Sequence, residues 1–192
     1  MAKSITTVGI VGAGAMGAGI AQIALVAGLE VILYDANEKA LAKAAEDIAL
    51  RIARLVEKGQ AQPELIAQAA AGLVLANGLE AFASADVVIE AIVENLDVKR
   101  QVFGELENIV AADCILASNT SSLSVTTIAA KLKTPQRFAG FHFFNPVPLM
   151  RLVEVIAGLQ TEEWVCEALT VIGKRMMGPA CDIERDTELF GK

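Results

Sequence analysis

The sequence predicts an α/β protein built on a doubly wound, mostly parallel sheet, and three observations predict it. Apolar strand-like runs alternate with helical stretches through most of the chain, an order that places parallel strands between two layers of helix. The first strand, Val8-Gly9-Ile10-Val11, opens straight into a glycine cluster and an alanine-rich helix. The second apolar run, Val31-Ile32-Leu33-Tyr34, stops at Asp35.

The elements follow in order. Strands are expected near 5–11 and 30–34, with a helix near 15–27 between them. The next helix, near 37–58, is unusually long. Leu41, Ile48, Ile52 and Leu55 recur along it at helical spacing, Asn37 is placed to cap it and Gly59 to end it. Pro63 starts a shorter helix near 63–70, so the pair forms a helical hairpin excursion after the second strand. Strands near 72–76, 86–91 and 114–118 and helices near 95–111 and 124–131 continue the alternation. Beyond residue 132 the pattern changes. Arg137 to Phe144 and Leu152 to Ile156 are strand-like runs joined by Asn145-Pro146-Val147-Pro148; 161–176 reads as helix and 178–184 as one more short strand.

At 192 residues the chain suits a single domain, expected over 1–185 with an atypical tail over 186–192. Its net charge of −7 argues against nucleic acid and anionic membrane, because phosphate affinity comes from clustered Lys and Arg. No membrane span is expected, because the apolar residues are spread along periodic segments and not gathered in one long run. Met1 to Ser4 leads into a strand without a signal-peptide cleavage site, so a soluble cytoplasmic protein is expected. Lys39, Lys43, Arg51, Arg54 and Lys58 gather on the long helix. Balanced by Glu38, Glu46 and Glu57, they read as a solvated face, with a local anchor for a phosphorylated substrate as the alternative. Cys114, Cys166 and Cys181 lack metal-ligand spacing and a CxxC pair, so neither a metal nor a disulfide framework is expected.

Gly12-x-Gly14-x-x-Gly17 lies between strand and helix, the setting a Rossmann-type dinucleotide site requires. Gly12 lets the chain turn, Gly14 leaves room for a pyrophosphate, and Gly17 lets helix and strand pack closely. The phosphates then sit on the helix's free N–H groups. Asp35, 18 residues past Gly17, can accept hydrogen bonds from both ribose hydroxyls and repels a 2′-phosphate, which selects NAD over NADP.

Three polar groups carry candidate chemistry. His142 is the one histidine in the chain, and a lone histidine in an apolar strand is usually a core residue. If the strands flanking the proline-rich connection pair antiparallel about Pro148, however, Glu154 falls opposite His142 on the same face. That is a base with its orienting carboxylate. Ser118-Asn119-Thr120-Ser121-Ser122 follows the strand at 114–118, where ligands bind beyond the carboxyl ends of strands. Ser122 or Ser124 is placed to cap the next helix while Ser121 faces the ligand. Glu90 should sit at its strand's end in the cleft, since an unpaired buried carboxylate is costly. Glu94 and Lys99 accompany it, with an ordinary surface ion pair as the alternative.

Taken together, these motifs resemble the NAD-binding domain of the L-3-hydroxyacyl-CoA dehydrogenase family, over residues 5 to about 187. They are Gly-Ala-Gly-Ala-Met-Gly-Ala-Gly-Ile-Ala from Gly12, Glu-Ala-Ile-Val-Glu-Asn-Leu-x-Val-Lys from Glu90, Ser-Asn-Thr-Ser-Ser-Leu from Ser118, and His-Phe-Phe-Asn-Pro-Val-Pro from His142. The resemblance implies that His142 is the catalytic base, Glu154 its partner and Ser121 the contact to the substrate oxygen. It places Gly12, Gly14, Met16, Gly17, Asp35, Glu94, Lys99, Ser121 and Asn145 on the cofactor, with Asn145 by the nicotinamide. An acyl-CoA would be the substrate, its coenzyme A held partly by the helical excursion. Family members continue Asp-Thr-Pro-Gly-Phe into an all-helical domain that closes the site and makes the dimer. Here Asp186-Thr187 is followed by Glu188-Leu189-Phe190-Gly191-Lys192, so that domain and the asparagine it contributes are expected to be absent.

Two main readings follow. One is an NAD-dependent oxidoreductase interconverting (S)-3-hydroxyacyl-CoA and 3-oxoacyl-CoA, in a shortened form. The other is an NAD-binding module with little turnover for want of its closing domain. A related dehydrogenase of sugar acids on the same scaffold is a third. Apolar residues left uncovered within 138–156 and 161–177 are expected to drive self-association.

Overall fold

A computed structural model of the protein describes residues 4–178 and 180–187. The elements run β1 (Thr7–Val11), α1 (Ala15–Val26), β2 (Glu30–Tyr34), α2 (Glu38–Glu57), α3 (Glu64–Gly72), β3 (Leu73–Leu75), β4 (Val87–Glu90), α4 (Leu96–Glu107), β5 (Ile115–Ser118), α5 (Val125–Ala129), β6 (Phe138–Phe143), β7 (Leu152–Ala157), α6 (Glu163–Met177) and β8 (Asp182–Thr187). Short 3₁₀ turns at Leu79–Ser84 and Pro135–Arg137 lead into β4 and β6.

The strands form one sheet in the order β3-β2-β1-β4-β5-β6-β7-β8. The first six are parallel, β7 runs antiparallel to β6, and β8 runs parallel to β7. The order reverses between β1 and β4, which opens a crevice at their carboxyl ends. Side chains alternate between two apolar layers along each strand. Val8, Ile10, Ile89, Ala117 and Phe141 join the layer that holds α1, α2 and α6, while Val88, Leu116 and Phe138 join the one that holds Phe103, Leu106 and Ile128 of α4 and α5.

The excursion forms as its sequence signals predict. The Asn37 side chain accepts from the amides of Lys39 and Ala40, and Gly59 follows α2 with φ +67°. On its outer face Lys43 pairs with Asp47 at 3.2 Å, an exposed i,i+4 contact of the kind a solvated helix carries. Arg175 of α6 donates to the carbonyls of Ala27, Gly28 and Ile5, fastening α6 to the carboxyl end of α1.

Several boundaries differ from expectation, and three of them have a visible cause. The amides of Thr6 and Thr7 donate to the Asp86 carboxylate, and β1 begins at Thr7 instead of residue 5. At the end of α4 the amides of Asn108 and Ile109 reach back three residues instead of four, and the Asn108 side chain donates to Gly104 O. Such tightening ends a helix, and this one stops at Glu107 instead of 111. At the carboxyl end, Gly178 with φ +82° turns the chain, and the strand expected over 178–184 runs instead from Asp182 to Thr187. The boundary expected at 185 therefore falls inside a strand. Residues 188–192 of the expected tail lie outside the described residues.

Candidate active site

The three glycines differ in what surrounds them. Gly12 has φ +105°, and a Cβ there would meet Ala91 O at 2.5 Å. A Cβ on Gly17 would come within 1.8 Å of Gly12 O, while one on Gly14 would meet nothing within 4 Å. Two glycines thus permit close packing, and the third borders open space. α1 starts from Gly14 with no side-chain cap and no acidic residue in its first turn. Its first N–H groups therefore have no side-chain partner, as an anion site requires. Met16 is half-buried and packs on the α1 layer.

Asp35 follows β2 directly. Its Oδ2 accepts from the Ala13 amide at 2.7 Å and its Oδ1 from the Asn37 amide at 2.8 Å. The carboxylate expected to read a ribose therefore also straps the glycine loop to the end of β2. Asp35→Ala should weaken NADH binding at least about tenfold, since charge-assisted bonds of this kind are among the stronger ones. NADPH should gain only relative to NADH, because the loosened loop weakens both. Fluorescence titration of the two nucleotides checks this, and an unchanged NADH affinity removes Asp35 from the site.

Glu90, expected in the cleft, is the last residue of β4 but is completely buried. Its carboxylate is satisfied from three sides. Lys99 Nζ lies 2.6 Å from Oε1, the Ile92 amide donates to the same oxygen at 2.7 Å, and Ser118 Oγ donates to Oε2 at 2.7 Å. Burial of a carboxylate is tolerable once it is paired and hydrogen-bonded, and α4 supplies the cation by placing Lys99 in its first turn. Lys99 is only 1% exposed, with Glu94 Oε2 as its second partner at 3.1 Å. An ammonium has three donors, so a cofactor hydroxyl would be a further partner for a group already held by two carboxylates.

Glu94 organises the polar loop after β5. Its Oε1 accepts from Thr120 Oγ1, from the amides of Ser121 and Ser122, and from Ser122 Oγ. Partial burial pushes this carboxyl up, but the bonds from Thr120 and Lys99, the Lys99 charge and the Ser122 hydroxyl outweigh it and bring it from 4.5 to about 2. A depressed carboxyl stabilises the fold above its unfolded value and loses that contribution as pH falls through the folded one. Glu94→Gln should therefore be less stable than the parent at pH 6, and the gap should close between pH 4.5 and about 2. Urea unfolding at both ends of that range tests it; a gap that stays constant contradicts it. Ser124 caps α5 by accepting from the Thr127 amide, which leaves Ser121 exposed.

The strand pairing places His142 directly across from Glu154. His142 Nδ1 and Glu154 Oε2 are 2.7 Å apart, with the side chains 15% and 30% exposed. With Nδ1–H donating to the carboxylate, Nε2 is the ring nitrogen left with a lone pair. The His142 ring also packs on Phe144, centroids 4.5 Å apart. β5 pairs with β6 only as far as Ser118 and Gly140, so His142 stands beyond the end of β5. There Asn119 Oδ1 accepts from the Phe143 amide at 2.8 Å, and the Asn119 amide donates to Glu90 O. Asn119 thereby extends the ladder by one side chain and ties the end of β6 to that of β5. Asn145 is exposed in the connection that follows.

The fold thus gathers Gly12, Gly14, Gly17 and Asp35 at the β1–β2 end of the crevice, and Glu94, Lys99 and Ser121 at the β4–β5 end. His142 and Glu154 pair on β6 and β7. Sequence reasoning missed Asn119 as a brace, and it missed Ser118 as a partner of the buried Glu90 and Thr120 as a partner of the exposed Glu94. The clue was the polar run itself, whose internal bonding only the register reveals. Among the described residues, no cluster of three His, Cys, Asp or Glu could hold a metal ion.

Comparison with known proteins follows the same lines. Residues 7–181 match the family model described as 3-hydroxyacyl-CoA dehydrogenase, NAD binding domain. A 3-hydroxybutyryl-CoA dehydrogenase of Bradyrhizobium diazoefficiens is 44% identical over 168 residues, covering 88% of this chain and 57% of the relative. A 3-hydroxyadipyl-CoA dehydrogenase of Escherichia coli is 43% identical over 169 residues, covering 88% of this chain and 36% of that one. The crystal structure of 3-hydroxybutyryl-CoA dehydrogenase from Escherichia coli superposes with a TM-score of 0.92 at 39% identity, covering 96% of this chain and 39% of that one. This chain therefore spans roughly a third to three-fifths of the length of these relatives. An uncapped helix behind three glycines, an acid after β2 and a match over almost the whole chain agree: the chain belongs to the 3-hydroxyacyl-CoA dehydrogenase NAD-binding domain family.

Proposed function

We propose that this domain serves NAD-dependent interconversion of an (S)-3-hydroxyacyl-CoA and its 3-oxoacyl-CoA. The observation that carries the reading is the 2.7 Å contact between His142 Nδ1 and Glu154 Oε2. The glycine loop and the amino end of α1 would hold the pyrophosphate, and Asp35 a ribose. Bound nicotinamide cofactor would supply the hydride chemistry, NAD as acceptor from C3 of the hydroxyacyl group and NADH as donor to it in reverse. His142 Nε2 takes the hydroxyl proton in the oxidative direction and gives it back in the reductive one. Glu154 keeps the ring in the Nδ1–H tautomer and steadies the imidazolium that forms. Ser121, exposed on the loop that Glu94 holds, would donate to the substrate oxygen. The test is an NADH fluorescence titration alongside acetoacetyl-CoA reduction; saturable binding with turnover supports the reading, and absence of both removes it.

A second reading, an NAD-binding module with little turnover, is favoured by one observation. Leu149 and Met150, in the connection after Asn145, are 75% and 37% exposed. A cleft open to water loses the low dielectric that strengthens its polar contacts. Binding without turnover supports that reading. The same exposed residues, with Leu159 and Val171, support self-association; a monodisperse monomer by light scattering contradicts it. No helix among the described residues is long and apolar enough to cross a membrane, and the cytoplasm is the compartment this reading assigns.

A further inference from the structure

The geometry points to Glu90 as a positioning residue for the Asn119–Ser122 loop, acting through Lys99 and Ser118 without lining the cleft itself. The inference rests on the NAD-binding reading above and deepens it by naming what holds the cofactor-facing loop in shape.

Glu90 and Lys99 are 0% and 1% exposed. Taking two ions out of water is costly, and well-packed apolar side chains in such a place are often as stable or more so. Stability alone therefore gives little reason for the pair. Connectivity gives a better one, because two routes lead from Glu90 to the same loop. Through Oε2 it holds Ser118 Oγ, which accepts from the Thr120 amide at 3.3 Å. Through Oε1 it holds Lys99 Nζ, which reaches Glu94 Oε2 at 3.1 Å. Glu94 in turn gathers Thr120, Ser121 and Ser122. The Glu90 carboxylate makes no bond to Ser121 or Ser122, yet both amides depend on a carboxylate whose cation it shares.

The sheet register gives the arrangement its position. Glu90 lies across from Ser118, and Ser118 across from Gly140. His142 is two residues further along β6 on the same face, about 7 Å beyond that buried row. Gly140 brings no side chain into the row, and a Cβ there would press on Ile156 and Val125 at 3.0 Å. The buried charges thus form a floor directly beneath the level at which His142 and the loop meet the cleft. Without the Glu90 charge, Lys99 is left with Glu94 alone and is drawn toward the water-facing side. Glu94 and the turn it organises then move with it.

The experiment compares the parent with Glu90→Gln, Lys99→Met and the double variant, reading NADH affinity by fluorescence and amide exchange with water by NMR. In Glu90→Gln the Ser121 and Ser122 amides should exchange at least about tenfold faster while those of α6 stay as in the parent, since local opening is confined to its own unit. NADH should bind about tenfold more weakly, and the double variant should lose no more than the worse single one, as expected for groups in one network. Unchanged Ser121 and Ser122 exchange in Glu90→Gln, or losses that simply add, overturns the inference. Should Glu90→Gln not fold, Ser118→Ala cuts one route while leaving both charges, and unchanged Thr120 exchange there overturns it equally. A parent that binds no NADH removes the cofactor reading alone, because the exchange comparison still decides the role of Glu90.

Discussion

Gly17→Ala is expected to abolish measurable NADH binding and to destabilise the fold by about 1–3 kcal/mol or more, the range for overpacking in a dense interior. The added methyl would lie 1.8 Å from Gly12 O. That oxygen cannot simply retreat, because Gly12 is itself within reach of Ala91 and its neighbour Ala13 is bonded to Asp35. Relief requires α1 to lift from β1, which displaces the N–H groups that would meet the pyrophosphate. Gly14→Ala separates the two effects. Apart from its chain neighbours, its methyl meets nothing within 4 Å, so thermal stability should stay close to the parent while NADH affinity falls, as expected if that open space is where the proposed cofactor lies. Unfolding curves and NADH titrations on both variants test this. Equal destabilisation by the two substitutions, or undiminished NADH binding in Gly17→Ala, contradicts it.

The second large effect falls on chemistry instead of binding. Glu154→Gln should lower acetoacetyl-CoA reduction by about 100-fold and His142→Asn by about 1000-fold, within the range that a positioned acid–base group supplies. NADH affinity should stay within about twofold in both, because neither side chain belongs to the glycine loop or to the Glu94 network. Glu154→Gln keeps a group of the same size opposite the ring but removes the charge that supports an imidazolium. If instead both variants lose NADH affinity in step with turnover, the pair is a structural strut between β6 and β7.

Much of this was legible in the residues. The alternation of strand and helix, Asn37 and Gly59 at the ends of α2, and the two-residue periodicity about Pro148 each express a local rule, and local rules survive folding. The facing of His142 and Glu154 needed only an antiparallel pairing with the correct register. The buried acid was harder. Glu90 reads as a residue of the cleft because a sequence shows the carboxylate but not the cation that will meet it. Its partner comes from nine residues onward on a helix, and Ser118 from the next strand. Asn119 was grouped with its hydroxyl neighbours for the same reason. Its use as a rung between β5 and Phe143 exists only once β6 overshoots β5. The carboxyl end was misplaced because β8 is set by its pairing with β7 and not by its own charged, exposed sequence.

The central claim is that Glu154 holds His142 with Nδ1 protonated and Nε2 bare toward the cleft. Because the chain has a single histidine, a long-range ¹H–¹⁵N spectrum of the imidazole, recorded where the ring is neutral, reads the tautomer without assignment ambiguity. The account predicts the proton on Nδ1 in the parent and a changed tautomer balance in Glu154→Gln. A proton found on Nε2 in the parent, or a spectrum indifferent to Glu154, would contradict it.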